Sequence, residues 1–221
     1  MLTISELFDL KATLAGEWLS SMTRPWEALK GIRAMILALG PELDREGYEQ
    51  RAETVWVHRS ARIAPTAFLG SAVIIGEDTE VRHCAFIREN ALVGKHCVVG
   101  NSTELKNVIL MDEVQVPHYN YVGDSILGRG AHMGAGAITS NVRGDKGEIV
   151  IHTPEGDVRT GLRKTGAFLG DGAEIGCNSV LNPGTVIGRG ARVYPLSSVR
   201  GTVPPHSLYK RQGEIAVLRE R

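Results

Sequence analysis

The sequence predicts a mainly β protein: a parallel β-helix of hexapeptide repeats, with a small N-terminal α-helical cap and an inserted β-hairpin. Three observations carry this. From Val57, ten successive sixth residues are aliphatic or Met: Val57, Ile63, Leu69, Ile75, Val81, Ile87, Val93, Val99, Leu105 and Met111. Glycine is abundant, at 26 of 221 residues, and often follows such an anchor (Gly70, Gly76, Gly94, Gly100). Composition also changes near residue 50: Phe8, Trp18, Trp26, Tyr48 and Trp56 crowd the start, and residues 1–50 hold five basic against eight acidic groups. Two different objects are joined there.

The first object, residues 1–52, reads as helical. Ile4 to Leu10 and Leu14 to Met22 suggest two short helices. Thr23-Arg-Pro-Trp-Glu opens a third, with a capping hydroxyl and an early Pro and Glu. Trp26, Leu29, Ile32, Arg33, Ile36 and Leu37 follow at near-helical spacing, and Gly40-Pro41 ends it. The expectation is a cap over the open end of the solenoid; a subunit contact or substrate cover is the alternative.

The second object, residues 53–205, carries the period of six. That period is neither helical nor plain strand alternation; it describes a short strand and a corner, repeated, with the anchor pointing inward and Gly easing the corner. Small or β-branched residues stand four after each anchor (Ala61, Ala67, Val73, Thr79, Ala85, Ala91, Cys97, Thr103). The pattern slips, resumes as Tyr121, Leu127, Met133 and Thr139, slips again, and runs Leu169, Ile175, Leu181, Ile187, Val193 and Val199. Three hexads close a triangular coil, so twenty hexads give six to seven coils. The second slip, 142–168, contains GEIVIHTPEGDVRTG; Ile149, Ile151 and Val158 around Pro154-Glu155-Gly156-Asp157 predict a β-hairpin leaving the coil, a device that can wall a site. Residues 206–221 read as a C-terminal tail.

Composition excludes several classes. With 25 basic and 25 acidic groups and a pI near 7.1, the chain lacks the basic surface of an electrostatically driven nucleic-acid binder. No apolar stretch has membrane-span length, and the N-terminus lacks a signal peptide's basic region and apolar core. Cys84, Cys97 and Cys177 form neither a disulfide framework nor a zinc knuckle, which fits reduced thiols in a cytoplasmic setting. No two His stand five apart, so the three-His zinc site of hexapeptide-repeat carbonic anhydrases is not expected.

Chemistry concentrates in 88–141. Arg88 and Lys106 each follow an anchor and lie one coil of 18 residues apart, so they are expected to stack on one edge at the strand spacing of about 4.8 Å. Such cations repel by roughly 1 kcal/mol in water and more at a protein surface. An anion is therefore expected between them: Glu104 on the structural reading, a ligand phosphate on the functional one. His118 lies in Val116-Pro-His-Tyr-Asn-Tyr-Val-Gly-Asp124, where the register breaks, and is a candidate acid or base on the functional reading, a structural histidine on the other. Gly134-Ala135-Gly136 lets a ligand approach the backbone, whose N–H groups suit a thioester oxygen becoming an oxyanion.

GNSTELKN (100–107), PHYNYVGDSILG (117–128) and HMGAGAITSN (132–141) resemble the acetyltransferase domain of the bifunctional N-acetylglucosamine-1-phosphate uridyltransferase/glucosamine-1-phosphate acetyltransferases. GLRKTGAFLGDGAEIGCNSVLNPG (161–184) is similar to the archaeal sugar-1-phosphate nucleotidyltransferase/acetyltransferase form, and the whole chain resembles stand-alone proteins related to UDP-N-acetylglucosamine pyrophosphorylase. The resemblance implies a left-handed helix, a homotrimer with sites between subunits, and acetyl-CoA as co-substrate without a metal. It implies acetyl transfer to the amine of an amino-sugar 1-phosphate, on the way to UDP-N-acetylglucosamine. By the same resemblance His118 is the general base. Arg88 and Lys106 bind phosphate, with Lys146 or Lys164 completing that site. Tyr121 and Asn141 contact substrate, and the Ala135 backbone contacts acetyl-CoA. Cys177 and Pro195 line the CoA groove where relatives carry Ser and Ala, and Lys210 or Arg211 meets CoA near the end. His132 replaces an Asn that contacts the sugar, which leaves the sugar's identity open. A uridyltransferase domain has no counterpart in residues 1–50, so nucleotidyl transfer is not expected of this chain; a non-catalytic sugar-phosphate or nucleotide-sugar binding or scaffolding protein is the alternative.

Overall fold

Residues about one coil apart in sequence stand side by side in parallel strands. The computed structural model describes residues 2–211 and 214–217 and shows the left-handed parallel β-helix the sequence predicts. Along one wall the successive register partners are Arg62, Glu80, Val98, Gln115, His132, Glu174, Arg192 and Leu208. The steps are 18 residues, except for two of 17, one of 42 at the hairpin insertion and a last one of 16. The first slip in the hexad pattern is therefore a pair of shortened coils.

The other two walls start as single strands bent round a corner, Phe68–Ile75, Phe86–Val93, Glu104–Leu110 and Tyr121–Leu127, and continue as separate short strands. Most predicted anchors fill the interior. Two do not. Leu110, not Met111, stacks inside on Val93, and Val122, not Tyr121, stacks on Leu105. The cause is one bulge: Ile87 pairs with Leu105 but Glu89 pairs with Lys106, leaving Arg88 as the extra residue. Arg88 and Lys106 are therefore not stacked in register as the 18-residue spacing predicted.

Glycine takes the corners only in the later coils. Left-handed corners fall at Ala72, Asp78, Cys84, Asn90, His96 and Ser102, six apart, and continue through Asn107, Glu113, Tyr119 and Asp124 without Gly, whereas Gly130, Gly136, Gly172, Gly184, Gly190 and Gly201 hold corners further along. Gly after an anchor instead permits close approach between coils. A Cβ on Gly100 would lie 1.6 Å from the Pro117 carbonyl oxygen.

Only the last part of the N-terminal segment, the strand Tyr48–Ala52, meets the end of the solenoid, pairing antiparallel with Val55–His58. Most of the segment does not cover that end; it lies lengthwise along the third wall and runs against the direction in which the coils rise. Outward residues of that wall, Ile74, Leu92, Ile109, Ile126, Phe168 and Val186, are successive register partners and are buried with Ile4, Leu7, Leu19, Trp26, Ile32 and Ile36. The Leu7 and Ala12 carbonyls accept from Asp171 N and Asp112 N, and the Leu29 carbonyl accepts from Asn107 Nδ2. Arg33 reaches back to Ser71 and Asn90 near the first coils. This segment is less helical than predicted: α-helices at Ile4–Leu7, Gly16–Ser20 and Ile32–Leu39 alternate with 3₁₀ turns. Gly31 divides the expected third helix because Trp18 packs against it, 2.7 Å from where a Cβ would stand. Glu27 Oε2, not the Thr23 hydroxyl, caps that turn by accepting from the Thr23 and Arg24 N–H groups.

The predicted hairpin is present as Val150–Thr153 paired with Gly156–Arg159. The chain rejoins the coil where Gly166 N donates to the Asp124 carbonyl, two residues before the expected boundary. The tail is not one: Ser207–Arg211 continues the first wall and Glu214–Val217 folds back antiparallel on it. That extension gives eight stacked parallel strands, more than the six to seven coils counted.

Candidate functional site

The corner between the first and second walls aligns four of the expected residues. The N–H of each following residue donates one coil down: Tyr119 N to the Asn101 carbonyl, Gly136 N to His118, Asn178 N to Ala135 and Leu196 N to Cys177. His118, Ala135, Cys177 and Pro195 thus form one column, about 4.8 Å per step. His118 is exposed, and its imidazole makes no hydrogen bond or ion pair among the described residues. One coil on, the neighbouring N–H groups of Gly134, Gly136 and Ala137 donate to Ile175, His118 and Gly134 carbonyls. The Ala135 N–H has no acceptor among the described residues, so it is free to serve a ligand.

Beyond this column lies a shallow cleft of about 370 Å³, lined among others by Gly134, Cys177, Tyr194 and Pro195. His132 also lines it, with Nδ1 3.0 Å from Glu174 Oε2. Leu208 closes the far side; Arg211, at the end of the same strand, is ion-paired to Glu214 at 2.6 Å, as is Lys210 at 3.5 Å. The expected CoA residues Cys177 and Pro195 are thus brought together, while the terminal cations are engaged locally.

The second wall carries a polar strip. Arg88 pairs with Glu104 at 2.9 Å, and Glu104 is the register partner of Tyr121. The Tyr121 hydroxyl accepts from Asn141 Nδ2 at 3.3 Å, and burial, with Asp124 and Glu104 nearby, raises the phenol above its usual pKa. Asn141 Nδ2 also donates to Asp124 Oδ2 at 2.6 Å, while Lys106 Nζ (3.1 Å) and Asn107 Nδ2 (2.9 Å) donate to Asp124 Oδ1. Lys106, Tyr121 and Asn141 therefore belong to one hydrogen-bonded network through Asp124, with the Arg88–Glu104 pair on the neighbouring strand positions. Each cation already has a carboxylate partner, so the expected bare pair waiting for an anion is absent; Glu104 fills the structural role expected for it. Asp124, the buried hub, is a residue the sequence reading missed. Its signal was available, since it lies 18 residues beyond Lys106. Lys146 and Lys164 are both exposed with no side-chain partner among the described residues. Thr165 N donates to the Asn141 carbonyl, which brings the backbone next to Lys164 against the strip.

With this geometry in place, comparison with known proteins is informative. The GMPPB C-terminal domain family matches residues 79–151. A bifunctional sugar-1-phosphate nucleotidylyltransferase/acetyltransferase of Sulfurisphaera tokodaii is 34% identical over 106 residues, 48% of this chain and 26% of that one. The bifunctional protein GlmU of Methanococcus vannielii is 26% identical over 215 residues, 96% of this chain and 51% of its own length. The chain is similar in sequence to part of each of these bifunctional enzymes. It spans about half their length or less. Among solved structures, a hexapeptide transferase family protein from Anaplasma phagocytophilum aligns with a TM-score of 0.43 and 18% identity, covering 76% of this chain and 81% of that one. The polySia-specific acetyltransferase NeuO aligns with a TM-score of 0.46 and 12% identity, over 77% and 90%. Among the described residues, no helix is long and apolar enough to cross a membrane.

Proposed function

We propose that this chain is an acyltransferase that moves acetyl from acetyl-CoA to the amine of an amino-sugar 1-phosphate resembling glucosamine 1-phosphate. The observation that carries the reading is the column: an unengaged imidazole at His118, a free N–H at Ala135 one coil on, and a cleft at Cys177 and Pro195 beyond it. Neutral His118 takes a proton as the amine nitrogen attacks the thioester carbonyl. The Ala135 N–H donates to the oxyanion that forms on that carbonyl. Collapse breaks the C–S bond, and the thiolate takes the proton from the imidazolium.

The Tyr121–Asn141–Asp124–Lys106 network holds the acceptor, and orientation contributes much of the rate. Lys146 or Lys164, which have no side-chain partner among the described residues, face the phosphate, with Arg88 and Lys106 beside it in their pairs with Glu104 and Asp124, and Arg211 exchanges Glu214 for CoA. No step requires a metal, and the reaction is a cytoplasmic one.

His118→Ala is expected to lower turnover by about 10²- to 10⁴-fold, with binding of glucosamine 1-phosphate retained. Single-turnover assays with acetyl-CoA alongside sugar-phosphate titration check this; unchanged turnover would remove His118 from the reaction. Thermal-shift titration separates the binding-protein alternative, for which sugar phosphate raises Tm and acetyl-CoA does not.

A further inference from the structure

A second polar groove, outside the acetyl-transfer residues, opens between the inserted hairpin and the last coils. Ser140, Asn182 and Arg200 stand one above another just past the strands that pair Ile138 with Val180 and Val180 with Ser198. They form one side of a cavity of about 480 Å³; Arg143 and Asp145 of the insertion and Val150 and His152 of the hairpin form the other. This volume is that of a small-molecule site.

Its charges are ordered. Arg143 is held in a fork by Asp145, with Nε at 3.0 Å and Nη2 at 2.6 Å, and its Nη1 donates to the Glu148 carbonyl. His152 lies between Asp157 Oδ1, 2.7 Å from its Nδ1, and Arg200 Nη2, 2.9 Å from its Nε2. A carboxylate only accepts and a guanidinium only donates, so the imidazole carries its proton on Nδ1 and accepts at Nε2. The ring is therefore neutral in this arrangement, and Asp157 fixes it from behind without lining the cavity. Arg200 is thus aimed by a neutral partner and belongs to no ion pair among the described residues. This contrasts with Arg88 and Lys106, whose charges are already answered by carboxylates.

A guanidinium without a carboxylate, beside the Ser140 hydroxyl, suits phosphate oxygens, while the Asn182 amide is held by Ser198 Oγ and the Val199 carbonyl and shapes the floor. Val142, Val150 and Pro183 supply an apolar strip on the same cavity for an organic body. We propose that this groove binds an organic phosphate of nucleotide size, its phosphates on Arg200 and the Ser140 hydroxyl and its organic part on the apolar strip. The site does not depend on acetyl transfer by His118.

Calorimetric titration of the full chain with UDP, GDP and inorganic pyrophosphate tests it. A nucleoside diphosphate is expected to bind more tightly than pyrophosphate, and Arg200→Gln to weaken it by about tenfold or more. Ser140→Ala is expected to weaken it less, and His118→Ala to leave it unchanged. Equal affinity in Arg200→Gln at unaltered Tm, or no binding of either nucleotide at millimolar concentration, would overturn the proposal. Pyrophosphate binding as tightly as the nucleotides would overturn the assignment of the apolar strip.

Discussion

Asp124 holds the candidate site together at some conformational expense. It is 3% exposed, sits at φ +48°, and receives donors from Lys106, Asn107 and Asn141. Non-Gly residues in that region carry strain of about 1 kcal/mol or more, which persists only when surroundings over-determine it. Here three donors do. Asp124→Ala is expected to cost roughly 3–5 kcal/mol, because it leaves the largely buried Lys106 ammonium without its partner. Urea unfolding checks this, and a loss below about 1 kcal/mol would show that Lys106 finds water instead. The sequence brought out Arg88, Glu104, Lys106, Tyr121 and Asn141 but not Asp124, the carboxylate that joins Lys106 to Asn141. The reason is local: Arg88 occupies a bulge, so an argument from uniform 18-residue coils aligns the two cations with each other. Applied one coil later, the same spacing points from Lys106 to Asp124.

The lateral N-terminal segment is the element the sequence described least well. Its helical content and capping residues were partly legible, but its location was not, because a helix-forming pattern says nothing of which surface it covers. The surface did leave a trace. In 73–75, 91–93, 108–110, 125–127, 167–169 and 185–187 an apolar residue directly precedes each inward anchor, so those strands are apolar on both faces and demand a cover. Asp171 is the latch. Its Oδ2 accepts from Asp9 N at 2.7 Å, its Oδ1 from Arg129 N at 2.8 Å, and Arg189 stands 3.4 Å away. Burial raises its carboxyl above the ordinary 3.8 despite those donors. A raised carboxyl means that the folded chain binds the proton more readily than the unfolded one. In the window just above pH 3.8, this group's contribution therefore grows as pH falls and fades as pH rises. The stability gap between wild type and Asp171→Asn is accordingly expected to widen on acidification through that window. Paired unfolding curves measure it; a gap that narrows as pH falls would reverse the assigned sign.

At the scale of the molecule, exposed apolar side chains flank one corner. Phe68, Phe86, Tyr119, Tyr194 and Leu196 are exposed beside the His118 column, with the Phe68 and Phe86 rings in tilted contact at 5.5 Å and Leu196 80% exposed. Apolar exposure of this kind marks an interaction surface, and closed cyclic assembly is its common use. It supports the homotrimer expected from the sequence, with the candidate site at the subunit boundary. Light scattering is expected to give three times the chain mass, and Leu196→Asp to reduce it. Asp tolerates the φ of +59° at this position better than Leu, so assembly and not folding is what the substitution tests. A monomeric wild type would place the whole site within one chain. The solenoid itself was read from a period of six that only a stacked coil satisfies; its coil count was not, because the last turn lacks the Gly-anchor pattern. The antiparallel strap has a further consequence for how such a chain can change. A bare solenoid gains or loses turns at little expense, since each repeat meets only its neighbours. Here Leu7 is tied to Asp171, Ala12 to Asp112 and Arg33 to Ser71, so the strap works as a ruler laid against the stack. A duplicated turn between residues 71 and 171 would put the marks on its two sides out of step, and the number of coils in that stretch is thereby fixed by a segment that forms no part of them.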